Sequence, residues 1–99
     1  MNYKKLLKIA TDLTQPVIEA LAAGNPVEGP TKSLFNKLND EDQPDEKAAR
    51  NIALFLGGEV EKLKDNEKYQ RLLWYDISFE AKELGKNRYT VIMSYSRQL

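Results

Sequence analysis

The run E-K-Y-Q-R-L-L-W-Y-D-I-S-F-E-A-K-E-L-G-K-N, Glu67 to Asn87, carries most of the weight in assigning a fold class. Tyr69, Leu72, Leu73, Ile77, Ala81 and Leu84 recur in it at helical intervals. That spacing predicts one face of a helix over Glu67–Leu84. Asp65 or Asn66 supplies a cap, and Gly85 ends the element. Trp74, Tyr75 and Phe79 lie off the inner line. Large aromatics in that position either pack on neighbouring elements or form an exposed partner surface.

The same period continues upstream. Between Pro44 and Leu63, the residues Ala49, Ile52, Ala53, Leu56, Val60 and Leu63 share a face, which predicts the central helix of a small bundle. Pro44 suits a first turn, and Asp45 and Glu46 sit where the helix dipole favours anions. Leu54 and Phe55 widen the stripe, so this helix touches neighbours on more than one side. Gly57-Gly58 costs ~1 kcal/mol per residue against alanine. The pair is either a local weakening or a place where another backbone comes close.

At the amino terminus, Leu6, Ile9, Ala10, Leu13, Val17, Ala20 and Leu21 line one face of a helix over Asn2–Ala23. Pro16 falls inside it, at a cost of ~3 kcal/mol for a helix interior. Either the helix kinks there, or a first helix ends near Leu13 and Thr14 caps a second. Gly24-Asn25-Pro26 is a stop signal. Pro30–Asn39, with Leu34, Phe35 and Leu38 on its apolar edge, predicts a short further helix. The expected fold is all-α, an antiparallel four-helix bundle with an irregular C-terminal segment. Burial of Ile52, Leu56, Leu73 and Ile77 should dominate its stability.

The tail alternates. Tyr89, Val91, Met93 and Tyr95 interleave with Thr90, Ile92 and Ser94, a strand-like passage with no predicted sheet to join. It is expected to lie over the bundle, pair briefly with itself or coil into a last short helix. From Lys86 onward its charges are Lys86, Arg88 and Arg97, with no acidic residue.

Composition narrows the function classes. The 99 residues suit a single domain, residues 1–99, with 85–99 as a tail packed on it or extending from it. Fifteen basic and fifteen acidic residues leave no net charge to draw nucleic acid or anionic lipid. Over Glu67–Leu84, Lys68, Arg71 and Lys82 are offset by Glu67, Asp76, Glu80 and Glu83, unlike a recognition helix. There is no histidine and no cysteine, so the common general bases, thiolate nucleophiles and zinc sites are excluded. No glycine-rich phosphate loop appears. Asp40-Glu41-Asp42-Gln43 is either a cation site or a solvated linker. It lacks the ligand spacing of a calcium loop, which favours the linker. The chain is expected to be non-enzymatic and to carry no metal or cofactor. No run approaches the ~20 apolar residues of a membrane span. The basic start, M-N-Y-K-K, leads into an apolar stretch broken by Lys8, Thr11 and Asp12, a poor signal peptide. A cytoplasmic protein is expected.

Residues Glu67 to Asn87 resemble the last helix of the enterocin A-type (pediocin-like, class IIa) bacteriocin immunity proteins. The matching features are Tyr69-Gln70, the leucine pair near Leu73, Ile77-Ser78, Gly85 and Asn87. Upstream, A-R-N-I-A-L-F-L is similar to the family's third helix, with Asn51 near its start. The resemblance implies a four-helix bundle without catalytic groups. It implies protection of a bacteriocin producer at the inner membrane face, where the toxin engages membrane components of the mannose phosphotransferase system. It also implies that the C-terminal half reads the target. The aromatic, basic composition of Tyr69–Leu99 points the same way. Lys82, Lys86, Arg88, Tyr89, Tyr95 and Arg97 are the candidate partner-binding residues. The alternative is that Tyr89, Val91, Met93 and Tyr95 only seal the bundle. A different class of function uses the same surfaces: a small helical adaptor that binds a partner protein's helix. Both readings leave the oligomeric state open.

Overall fold

The computed structural model describes residues 2–98, so Leu99 of the expected target-reading region lies outside the described residues. Helix α1 spans Tyr3–Ala23. Asn2 caps it, its side-chain oxygen accepting from the Lys5 amide at 3.2 Å. Pro16 stands within one unbroken helix, so of the two alternatives the split at Leu13–Thr14 does not occur. The helix stops at Gly24, whose φ of 77° lies in the left-handed region that glycine enters without steric cost. The Arg71 guanidinium fills the space that a side chain at Gly24 would occupy.

Helix α2 spans Glu46–Leu63, close to the predicted central helix. Its cap is Asp45, which accepts from the Ala48 amide at 2.9 Å. Ile52 and Leu56 are buried as expected, whereas Leu73 is half exposed and Ile77 half buried. No atom of another element would meet a methyl group at Gly57 or Gly58, so no backbone approaches there. The glycines are a weakening of the helix and nothing more. Gly57→Ala should therefore raise stability by ~0.5–1 kcal/mol, chiefly by restricting the unfolded chain. Thermal melting checks this. A lowered midpoint would show that the site is tighter than the structure has it.

The all-α four-helix bundle is incorrect. Among the described residues the elements are two α-helices, one 3-10 helix and a three-stranded antiparallel sheet ordered β1-β3-β2. The short helix expected at Pro30–Asn39 is strand β1, Thr31–Ser33, followed by turns. Here the Phe35 amide donates to the Thr90 hydroxyl at 2.9 Å, not to a carbonyl one helical turn back. The helix expected at Glu67–Leu84 is a 3-10 helix, Glu67–Trp74, running into strand β2, Tyr75–Gly85. The tail is strand β3, Arg88–Arg97, and it is the central strand of the sheet.

The physical reason lies in the pairing. From Tyr75 to Lys82 the chain alternates Tyr75, Ile77, Phe79, Ala81 with Asp76, Ser78, Glu80, Lys82. The first set opposes Arg97, Tyr95, Met93 and Val91 of β3 on the face turned to the helices. The second opposes Ser96, Ser94, Ile92 and Thr90 on the outer face. The reversal between the strands uses Asn87 at φ 59°, a conformation asparagine tolerates better than most residues. Each strand thus supplies the partner that neither has alone.

Both helices rest on this one sheet face, over two apolar clusters. The first joins Leu6 and Ala10 of α1, Ala49, Ile52, Ala53 and Leu56 of α2, Leu34, Phe35 and Val91. The second joins Val17, Ile18 and Leu21 of α1 with Val60, Leu72, Met93 and Tyr95. The far edge of β3 is closed along its length. Beyond β1, the Tyr95 amide donates to the Pro30 carbonyl, the Leu34 amide to that of Val91, and the Tyr89 amide to that of Pro44, at 2.9, 3.0 and 2.9 Å. No described helix is long and apolar enough to cross a membrane.

Candidate partner-binding surface

The two helices lie side by side on the sheet but leave a hollow between them. It encloses about 380 Å³ and is lined by Ile18 and Thr14 of α1, Phe55, Leu56 and Leu63 of α2, and Tyr69 and Phe79. Phe79 reaches it from below, out of β2. Phe55 stands on its rim at 45% exposure. Beside it on α2, Leu54 is 76% exposed and borders a second hollow of about 420 Å³. That one opens between α2 and the outer edge of β2, with Arg50, Ala53, Phe79, Glu80 and Ala81 around it. Leu54 and Phe55 are the residues that widened the apolar stripe of α2 in sequence. The neighbour expected on that side is not another helix; the ridge they form faces open space.

The carboxylates at the first hollow are already partnered. Glu19 accepts from the Tyr69 hydroxyl at 2.7 Å and pairs with Lys68 at 3.6 Å. Glu59 pairs with Lys62 at 3.8 Å. The hollow is therefore apolar within and near neutral at its rim, a surface for apolar side chains rather than for an ion. Among the described residues no three carboxylates gather into a cation cluster, and the Asp40–Gln43 connection is a series of turns.

The six residues expected to contact a partner do not form one patch. Lys82 is exposed on the outer face of β2, opposite Thr90. Lys86 is exposed in the turn between β2 and β3, and Arg88 next to it forms an ion pair with Asp40. Tyr89 faces the helices, its hydroxyl near Glu46 and Glu83 at 3.3 and 3.4 Å. Tyr95 is buried, with its hydroxyl donating to the Glu28 carbonyl at 3.0 Å. Arg97 lies at the other end of β3, roughly 30 Å from Arg88 along an extended strand. There it stands 5.6 Å from the Trp74 ring, which Arg71 approaches to 5.4 Å from the 3-10 helix. Tyr89, Val91, Met93 and Tyr95 all pack inward, as the core face of the central strand and not as a seal on a helix bundle. Trp74, half exposed and near two guanidinium groups, is visible in sequence only as an aromatic off the helical line.

Three tyrosines are shifted the same way. Burial, then the charge of Glu28, pushes the Tyr95 phenol up. Burial, then Glu46 and Glu83, raises Tyr89. For Tyr69 the hydrogen bond to Glu19 is the largest cause, followed by burial. At neutral pH both folded and unfolded chains hold these protons, and the stabilisation is complete. As pH rises through about 10, the ordinary phenol value, the unfolded chain releases protons that the folded chain keeps, so stability falls. Denaturant midpoints should stay level from neutral pH to about 9 and decline above about 10. Tyr95→Phe should flatten part of that decline. A midpoint that holds level beyond the ordinary phenol range would contradict it.

Compared with known protein families, curated proteins and solved structures, the chain matches none.

Proposed function

We propose that the protein is a non-catalytic binding module that takes an apolar segment of a partner protein across the Leu54–Phe55 ridge and into the hollow between α1 and α2. The observation that carries this reading is the pair of large apolar side chains left exposed on α2, flanked by the two hollows. A core-facing helix does not ordinarily leave Leu and Phe adjacent and open, and exposed aromatic anchors beside a pocket are where binding energy concentrates.

Protection against a pediocin-like bacteriocin is a narrower proposal inside this one. It drew on a last helix at Glu67–Leu84 that is strand over much of its length. It now stands on the shared residues Tyr69-Gln70, the leucine pair near Leu73, Ile77-Ser78, Gly85 and Asn87, and on the A-R-N-I-A-L-F-L segment of α2, without the four-helix bundle, so the geometry favours the broader adaptor reading.

A photo-crosslinking residue placed at Phe55 should capture one dominant protein in cells. That protein, purified, should bind the wild-type chain, and bind Phe55→Asp roughly tenfold or more weakly, the effect of losing one anchor. Circular dichroism should show that Phe55→Asp folds, since the side chain is half exposed. Equal binding by the folded variant would overturn the proposal. Expression in bacteriocin-sensitive cells, with a panel of pediocin-like toxins, decides the narrower one: blocked killing by one member supports it, and none blocked removes it.

A further inference from the structure

The two edges of the sheet are treated differently. The edge of β3 is capped by β1, by the Leu34 amide and by the Pro30 and Pro44 carbonyls. The outer edge of β2 pairs with no strand among the described residues. Eleven residues, Tyr75 to Gly85, present it. They contain no proline, and the register shift in the ladder comes only at the far end, between Glu83 and Gly85. An edge this long and regular is a template for another strand.

We infer that this edge pairs with the same edge of a second copy of the chain, antiparallel, with Phe79 opposite Phe79 across a twofold axis. Register selects the centre of the pairing. Directly opposed residues in an antiparallel pair share a face, so a symmetric pairing must centre on a residue and preserve inner and outer sets. Centring on Ser78 puts Asp76 against Glu80 twice. Centring on Ile77 pairs only Tyr75 to Phe79 and leaves the rest of the edge unmatched, because β2 begins at Tyr75. Centring on Glu80 puts that carboxylate against itself. Centring on Ala81 pairs Glu80 with Lys82 but sets Glu83 against Phe79 on the inner face.

Centring on Phe79 satisfies every position. On the outer face Asp76 meets Lys82 twice, and Ser78 meets Glu80 twice. On the inner face Phe79 meets Phe79, Ile77 meets Ala81, and the Tyr75 hydroxyl meets the Glu83 carboxylate. Opposite charges and aromatic pairs directly across a ladder are the stabilising combinations, and like charges are the destabilising ones. The hollow beside Leu54 opens at this same edge, bounded by Phe79, Glu80 and Ala81. A second strand laid there would extend the floor of that hollow. Self-association at β2 leaves the α1–α2 hollow, on the helical layer, open to a different partner.

The test is charge reversal with rescue, read by sedimentation equilibrium over a concentration series. The wild-type chain should reach a dimer. Lys82→Glu and Asp76→Lys should each weaken it by roughly tenfold or more, because the symmetry repeats each repulsion. The double variant Asp76→Lys/Lys82→Asp should recover most of the affinity. Both positions are exposed, and circular dichroism establishes that each variant folds. Register is read independently. The chain has no cysteine, so Ser78→Cys mixed with Glu80→Cys forms a mixed disulfide only where these positions face each other within bridging distance. Preferential mixed dimer over either variant alone supports the Phe79-centred pairing. A wild-type chain that stays monomeric, or a dimer indifferent to the reversals and without the mixed disulfide, would overturn it.

Discussion

Phe35→Ala should cost ~3–5 kcal/mol, the range for removing a fully buried aromatic side chain. Against the ~5–15 kcal/mol that holds a domain of this size together, that is a large share of the margin. Phe35 is 0% exposed, yet it belongs to no helix or strand. It is pressed between Leu6 and Ala10 of α1, Ile52 and Ala53 of α2, and Val91 of the central strand. Three elements therefore share one side chain from the β1–α2 connection, and none of them can close over the gap without leaving its place on the other two. Urea titration followed by circular dichroism gives the number. A loss under about 1 kcal/mol would mean that the connection re-packs freely and that the core does not depend on it.

The second large effect is polar. Thr90→Val should cost ~1–3 kcal/mol even though the two side chains have nearly the same shape. Thr90 is fully buried beneath the turns after β1. Its hydroxyl accepts from the Phe35 amide at 2.9 Å and shares a hydrogen bond with the Ser33 hydroxyl at 2.9 Å. Valine would strand the Phe35 amide in a place water does not reach, which is costlier than losing an exposed bond. Thr90→Ser keeps the oxygen and should retain most of the stability. If valine and serine behave alike, packing rather than the hydroxyl holds this connection. Phe35 and Thr90 touch, so their combined loss should differ from the sum of the single ones.

How far the sequence foretold this arrangement depends on the segment. The amphipathic period of α1 and α2 was legible because each buries one stripe against one floor, and local spacing reports that directly. Gly24 fell where a helix stop was expected, for reasons confined to a few neighbouring residues, whereas Asp45, expected within the first turn, is the cap, and Gly85, expected to stop a helix, closes strand β2. The stretch after Glu67 was misread because Ile77 and Ala81 satisfy a period of four and a period of two at once. The deciding signal was Tyr75 and Phe79, aromatics that a helix placed off its line and a strand places in phase with Ile77. Glu80, Ala81, Lys82, Glu83 and Leu84 favour helix locally, and pairing with β3 overrode that preference. The strand-like tail was recognised, but with no predicted partner it was set outside the fold instead of at its centre. Of the candidate surface, Leu54 and Phe55 were noted as excess apolar residues on α2. That they border hollows depends on how α1, α2 and β2 are spaced, which no local pattern encodes.

The central position of β3 bears on how the chain acquires its shape. β2 and β3 are joined by a tight turn and can zip together on the microsecond scale of a hairpin. β1 has to find β3 across most of the chain, the Ser33–Thr90 contact spanning 57 residues. Closing so long a loop is entropically costly before any contact rewards it, which slows folding. Synthesis proceeds from the amino terminus, so α1, β1, Phe35 and α2 leave the ribosome before the strand they rest on. Until Val91 and Met93 emerge, Leu6, Ile52, Leu56 and Phe35 have no floor to cover. During that interval the nascent chain is a pair of amphipathic helices with their apolar faces open, the kind of surface that holdase chaperones bind.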